Sequence, residues 1–338
     1  MKKILITGGA GYIGSHTAVA LVNSGYEPVI VDNFSNSEKS ALEGIKSILG
    51  KEVKSYEVDC LDKNGMEKVF QENDFSGVIH FAASKAVGES TRLPLKYYSN
   101  NIDSLIILLE LMSKYKVKDL VFSSSCTVYG QPKVLPVTEA TPRQDAESPY
   151  GNTKKICEDI LRDFILSGAA SRIVALRYFN PVGAHPSSAI GELPIGVPAN
   201  LIPFVTQTAA GIREKITVFG NDYDTPDGTC VRDYIHVMDL ADAHVKALKY
   251  LSEQKDNFYD IFNVGTGNGN TVLEVIKTFE KVSGQKLNYE IGPRRTGDIE
   301  KVWANTDKIN KVLGWEAKYS LEDSMRDSWN WQVKLGKK

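Results

Sequence analysis

Long apolar runs, paired cysteines and charge of one sign are all scarce in this chain, and each shortage removes a class of function. No apolar run exceeds the length of Leu105–Leu109, far below the ~18 residues a membrane-spanning helix needs. Cys60, Cys126, Cys157 and Cys230 are scattered, with no C-x-x-C spacing, so neither a zinc site nor a disulfide framework is expected. The five histidines form no H-E-x-x-H, and no metal is called for. Lys plus Arg number 40 against 42 Asp plus Glu, a net charge of -2. A chain so balanced has no global field for nucleic acid or an anionic membrane, and an anionic ligand must be held by a few placed groups. The start, Met1-Lys2-Lys3, is basic, but Gly8, Gly9 and Gly11 interrupt before a signal-peptide core can form. A reducing cytoplasm is the expected location.

What is present is an ordinary globular composition, 42% hydrophobic and 24% charged over 338 residues. At ~150 residues per domain this suggests two domains. The first half alternates short β-branched runs with helical patterns. Lys3–Thr7, Glu27–Val31, Val53–Val58, Gly77–Ala83, Asp119–Ser123 and Arg172–Phe179 read as strands. Gly11–Ser24, a long segment over Pro94–Tyr115 and the stretch from Pro149 read as helices. Such alternation predicts βαβ units and a parallel sheet. The expected class is α/β: a Rossmann-type doubly wound parallel sheet over residues 1–180, then a second, smaller α/β substrate domain over 181–338. Asp260–Val264 (DIFNV) reads as a strand able to rejoin the first sheet.

Between the first strand and first helix, Gly8, Gly11 and Gly14 form G-x-x-G-x-x-G. Glycines there permit a tight turn, close approach of a pyrophosphate, and close helix–strand packing. The anion then meets free N–H groups at the helix N-terminus. Asp32 ends the second strand, where a carboxylate accepts hydrogen bonds from the adenosine ribose and repels a 2′-phosphate. No Arg lies between Asp32 and Lys39, so NAD is favoured over NADP. Asp59, ending the third strand, is either within reach of the adenine or a loop acid capping the next helix.

Two Tyr-x-x-x-Lys pairs occur. Tyr129 and Lys133 enclose Gly130 and Pro132, which break a helix. Tyr150 and Lys154 follow Ser148, a suitable N-cap, and Pro149, suited to the first helical position, so they share one helix face. A phenol with pKa near 10 is a poor base at neutral pH. A neighbouring ammonium, a positive helix terminus and an oxidised nicotinamide would each favour the phenolate. Ser125 closes the preceding strand at its carboxyl end, placed to share a substrate hydroxyl with Tyr150.

Ser125, Tyr150 and Lys154 together with the glycine loop resemble the extended short-chain dehydrogenase/reductases. TGGAGYIGSH (Thr7–His16), KAVGES (Lys85–Ser90), SSSCTVYG (Ser123–Gly130), SPYGNTK (Ser148–Lys154), RYFNPVGAHP (Arg177–Pro186), FGNDY (Phe219–Tyr223) and RDYIHVMDLADAH (Arg232–His244) are similar to the UDP-sugar 4-epimerase members of that family. The resemblance implies NAD contacts at Gly8, Gly11, Tyr12, Ile13, Gly14, Asp32, Asn36, Ser37, Asp59, Cys60, Phe81, Ala82, Lys85, Asn100, Lys154 and Phe179. It implies substrate contacts at Asn180, Asn200, Leu201, Phe219, Arg232, Arg295 and Asp298, and a homodimer through the helices after Pro94 and Pro149. It also implies interconversion of UDP-glucose and UDP-galactose through a transient 4-keto sugar and bound NAD. Val302 stands where members restricted to glucose and galactose tend to carry Tyr, which leaves room for a 2-acetamido group. Two rivals share parts of this pattern. A nucleotide-sugar 4,6-dehydratase needs an Asp-Glu pair where Cys126 and Thr127 stand. A catalytically silent NAD-binding regulator has no need of Ser125, Tyr150 and Lys154 together.

Overall fold

The computed structural model describes residues 1–295 and 298–336. Seven strands form one parallel sheet: β1 (Lys3–Thr7), β2 (Glu27–Asp32), β3 (Lys54–Glu57), β4 (Phe75–His80), β5 (Asp119–Ser125), β6 (Arg172–Tyr178) and β7 (Phe258–Val264). Their spatial order is β7-β6-β5-β4-β1-β2-β3. The order reverses between β1 and β4, which opens a crevice above their carboxyl ends.

The strands are apolar on both sides because helices cover both faces. Ile4, Ile6, Ile30 and Val121 point to one side with Ala18, Leu21, Leu240 and Leu248. Leu5, Val29, Val31, Leu120 and Phe122 point to the other with Val69, Leu108, Met112 and Leu161. Period-2 alternation thus divides each strand between two buried layers.

The chain first leaves the sheet after Tyr178. It returns through helix Val237–Ser252, whose residues pack beside those of helix Tyr12–Asn23, and then β7 pairs with β6 from Phe258↔Arg172 to Val264↔Tyr178. The remaining C-terminal residues build a separate apolar cluster around Val205, Val218, Ile276, Phe279 and Met325. Small strand pairs flank it, among them Ile216–Phe219 with Tyr289–Gly292.

The expected long helix over Pro94–Tyr115 needs one correction. Helices Pro94–Tyr98 and Ser104–Lys114 are joined by a π-helical turn, Ser99–Asp103. The wider turn puts the Asn101 amide inside the fold, where it donates to Ser84 O and Thr153 Oγ1, both at 3.0 Å, and accepts from Ser84 N at 2.8 Å. One side chain thereby ties the loop after β4 to the helix that begins at Pro149. Interruptions of this kind cluster where a helix serves a site.

Candidate active site

All the candidate positions that follow strands lie at the carboxyl ends of the sheet. Gly8 holds φ of +68°, and an added Cβ would meet Ala82 N at 2.9 Å. A Cβ on Gly14 would fall 2.4 Å from Gly8 O, so only glycine lets helix Tyr12–Asn23 start so close to β1. This cradle and the uncapped start of that helix fit a pyrophosphate. Asp32 Oδ2 accepts from Ala10 N at 3.0 Å, and Oδ1 from Phe34 N at 2.9 Å and Ser37 Oγ at 2.8 Å. It therefore organises the glycine loop and the segment carrying Asn36, which is exposed. Asp59 accepts from Asn33 Nδ2 at 2.8 Å and Leu61 N at 2.8 Å, while Asp62, three residues on, caps the next helix. Cys60 is buried near Asp32 and Asp59, and burial pushes its thiol up to about 12.

Other candidates lie on neighbouring elements. Ile13 and Phe81 pack on the first apolar layer, and Ala82 on the second. Tyr12 donates its hydroxyl to Gly183 O at 2.6 Å, tying the first helix to the segment after Asn180. Lys85 Nζ lies 3.4 Å from Glu192 Oε1, which also accepts from Asn200 Nδ2 at 2.6 Å. Glu192 thus bridges a cofactor candidate and a substrate candidate, and no motif in the sequence marked it. Asn100 donates to Asn101 Oδ1 at 3.0 Å within the π turn. Phe179 is buried with Cys126, Ile299 and Val302.

The expected helix start is observed: Ser148 Oγ accepts from Gly151 N at 3.2 Å and Pro149 occupies the first turn. Tyr150 and Lys154 fall on the same face, one turn apart. Lys154 is buried, donates Nζ to Ser123 O at 2.6 Å and sits 4.9 Å from the Phe122 ring centre. Ser125 Oγ accepts from Thr127 N at 3.2 Å and Thr127 Oγ1 at 3.0 Å.

Electrostatics here run against the expected easy ionisation of the phenol. Burial pushes Tyr150 up to about 12, and the Ser125 hydroxyl is the group that pulls it back down. Burial brings Lys154 down to about 8, opposed by Cys157 and Glu158. Among the protein's own groups, removal from water outweighs the Ser125 hydroxyl's help to the phenolate.

Four of the substrate candidates, Phe219, Arg232, Arg295 and Asp298, come together. Asp298 accepts from Arg295 Nη2 at 2.6 Å and Nε at 3.1 Å, and Arg232 Nη2 lies 3.8 Å away. The Arg295 guanidinium sits 5.5 Å from the Phe219 ring centre. Two cations at one spot suit a diphosphate. Asn180 N donates to Asp233 O at 2.9 Å, and Asp233 is a further residue the sequence reading passed over. Its buried carboxylate accepts from Thr266 N, Gly267 N and Ala304 N, which fixes the strand around Arg232. It lies inside the quoted RDYIHV stretch, the one signal that pointed to it. Leu201 opens helix Leu201–Ala209, and the preceding Asn200 is exposed. Val302, beside Arg232 in parallel register, is 1% exposed and packs with Phe179 and Cys126.

The sequence model of the family described as GDP-mannose 4,6 dehydratase matches residues 5–328. The chain is 54% identical to a UDP-glucose 4-epimerase of Bacillus subtilis over 97% of this chain and 96% of that one. A UDP-glucose 4-epimerase from Bifidobacterium longum, solved in complex with NAD+ and UDP, superposes with TM-score 0.96 at 50% identity, covering 99% of both chains. The UDP-Glc/GlcNAc 4-epimerase of Campylobacter jejuni superposes with TM-score 0.84 at 38% identity over 99% of this chain and 100% of that one. The sheet order, the glycine cradle, the Tyr150–Lys154 face and these matches along nearly the whole chain agree: the protein belongs to the UDP-glucose 4-epimerases, NAD-dependent members of the short-chain dehydrogenase/reductase group.

Proposed function

We propose that this enzyme interconverts UDP-glucose and UDP-galactose by reversible oxidation at C4. The observation that carries this reading is the convergence of Ser125, Tyr150 and Lys154 at the carboxyl ends of the sheet that holds the glycine cradle. Bound NAD supplies a hydride acceptor that returns what it takes, so no net oxidation occurs. Gly8, Gly11 and Gly14 would pass its pyrophosphate, with Asp32 and Lys154 toward its riboses. Tyr150, as phenolate, takes the proton of the sugar 4-hydroxyl, and Ser125 bridges the two oxygens. Lys154 holds positive charge beside the site where that proton moves. Arg232 and Arg295 exchange Asp298 for the diphosphate, which anchors UDP while the 4-keto sugar turns and presents its other face. Tight contacts to UDP and loose ones to the hexose are the arrangement such a turn requires. Cys126 and Thr127 supply no carboxylates for elimination, which disfavours the dehydratase despite the name of the matching family model.

Incubating the protein with UDP-galactose, without added reductant, should yield UDP-glucose by NMR; absence of that product would overturn the assignment. N-acetylated sugars are expected to react too, because Val302 is small where glucose- and galactose-restricted members carry Tyr. The Campylobacter jejuni relative is named for both sugar types. Val302→Tyr should lower turnover of UDP-N-acetylgalactosamine at least about tenfold while that of UDP-galactose changes less than about threefold. Equal effects on both sugars would refute the role of this side chain.

The proposal includes a homodimer. Ile106, Leu109, Ile160 and Phe164 line an open groove of about 430 Å³ between helices Ser104–Lys114 and Pro149–Leu166, and Ile106 is 40% exposed. A second copy laid against the same face would bury this row isologously. Sedimentation should give twice the mass of one chain, and Phe164→Glu should halve it. No described helix is long and apolar enough to cross a membrane. Four free, buried cysteines suit a reducing compartment, and we place the enzyme in the cytoplasm.

A further inference from the structure

Helix Pro149–Leu166 carries a further buried polar side chain on the face that holds Tyr150 and Lys154. Glu158 lies one turn beyond Lys154 and is 2% exposed. Its carboxylate is fully engaged. Oε1 accepts from Ser124 Oγ at 2.6 Å and from Arg177 Nε at 2.9 Å; Oε2 accepts from Arg177 Nη2 at 2.7 Å and from Arg143 Nη1 at 3.5 Å. Arg177 reaches onward, donating Nη1 to Tyr129 Oη at 2.9 Å, which donates to Asn263 Oδ1 at 2.6 Å. The forked ion pair thus anchors Glu158 to β6 and, through Tyr129, to β7.

The helix therefore grips the end of β5 twice in succession. Lys154 holds the main chain at Ser123 O, and Glu158 holds the side chain of Ser124. The next residue is Ser125. Because Arg177 neutralises Glu158, the second grip is chiefly geometric. We propose that Ser124 is a positioning residue: its bond to Glu158 locks the end of β5 against the helix and so sets where the Ser125 hydroxyl stands relative to the Tyr150 phenol. This inference rests on the epimerase reading above and extends it to a residue that does not touch substrate.

Ser124→Ala is the direct test. It removes one hydroxyl, leaves the Glu158–Arg177 pair with both partners, and creates no clash. The kcat for UDP-galactose should fall about tenfold, since small misplacements of reacting groups are costly, while KM stays within about twofold because the proposed diphosphate contacts are elsewhere. Ser124→Thr, which restores the hydroxyl, should recover most of that loss. In a Ser125→Ala background, adding Ser124→Ala should cost less than about twofold more, because Ser124 acts through Ser125. An unimpaired Ser124→Ala, or an undiminished tenfold loss on top of Ser125→Ala, would overturn the positioning role. A wild-type protein that converts neither UDP-sugar would instead overturn the functional reading.

Discussion

Tyr150→Phe is expected to lower turnover of UDP-galactose about 10³-fold, within the range that a positioned acid–base group contributes. The loss should leave the fold and the dinucleotide content unchanged. The aromatic ring remains to fill its place on the helix face, and only the oxygen that accepts the 4-hydroxyl proton disappears. The protein's own groups hold this phenol up at about 12, with Ser125 alone among them drawing it down. Deleting Ser125's hydroxyl should therefore reduce kcat in the same direction, more so at neutral pH than at alkaline pH. Near-normal turnover in Tyr150→Phe, measured by NMR of both UDP-sugars, would remove Tyr150 as the base.

Lys154→Met should separate activity from stability. Turnover is expected to fall at least about 10²-fold, since a fixed charge beside a moving proton is among the larger single contributions to catalysis. Stability should respond in a pH-dependent way. Lys154 sits at about 8 in the folded protein against its ordinary 10.5, because burial disfavours the ammonium. Between those values the unfolded chain binds the proton that the folded chain has released, so folding stability contributed by this residue rises with pH. Below 8 both states are protonated and the full cost of the buried charge is present. Methionine carries no such cost at any pH. Wild type should accordingly gain about 2 kcal/mol on the variant between pH 7 and pH 9.5, by urea unfolding of the dinucleotide-free proteins. A difference that stays constant over that range would show that the ammonium is not held down by burial.

These two side chains also show how far the sequence could be read. Tyr150 and Lys154 were separable from Tyr129 and Lys133 because helix capping is local: Ser148 and Pro149 start a helix, whereas Gly130 and Pro132 interrupt one. Tyr129 turns out to serve the interior, bonding Asn263 and receiving Arg177. The glycine spacing was legible for a similar reason, since the turn, the close approach and the helix start all fall within a few residues of one another. The electrostatic balance was not legible. How far burial outweighs a neighbouring charge depends on walls contributed by distant segments, among them Phe122, whose ring centre lies 4.9 Å from the Lys154 ammonium.

Glu192, Asn101, Asp233 and Glu158 escaped the sequence reading because each acts on partners far along the chain. Glu192 meets Lys85 across 107 positions, and Asp233 meets Ala304 across 71. A carboxylate that grips three loop amides looks, in one dimension, like any surface acid. What the amino-acid order determined by itself was the βαβ alternation, the dinucleotide loop and the helix that carries the tyrosine–lysine pair, since those rest on periodicity, capping and backbone conformation over short spans. What only the tertiary structure decided was the partner and register of the returning strand Phe258–Val264, the π turn that buries Asn101, and the strength of each charge in the site. Those depend on which distant groups exclude water from one another, and that is set by packing in three dimensions.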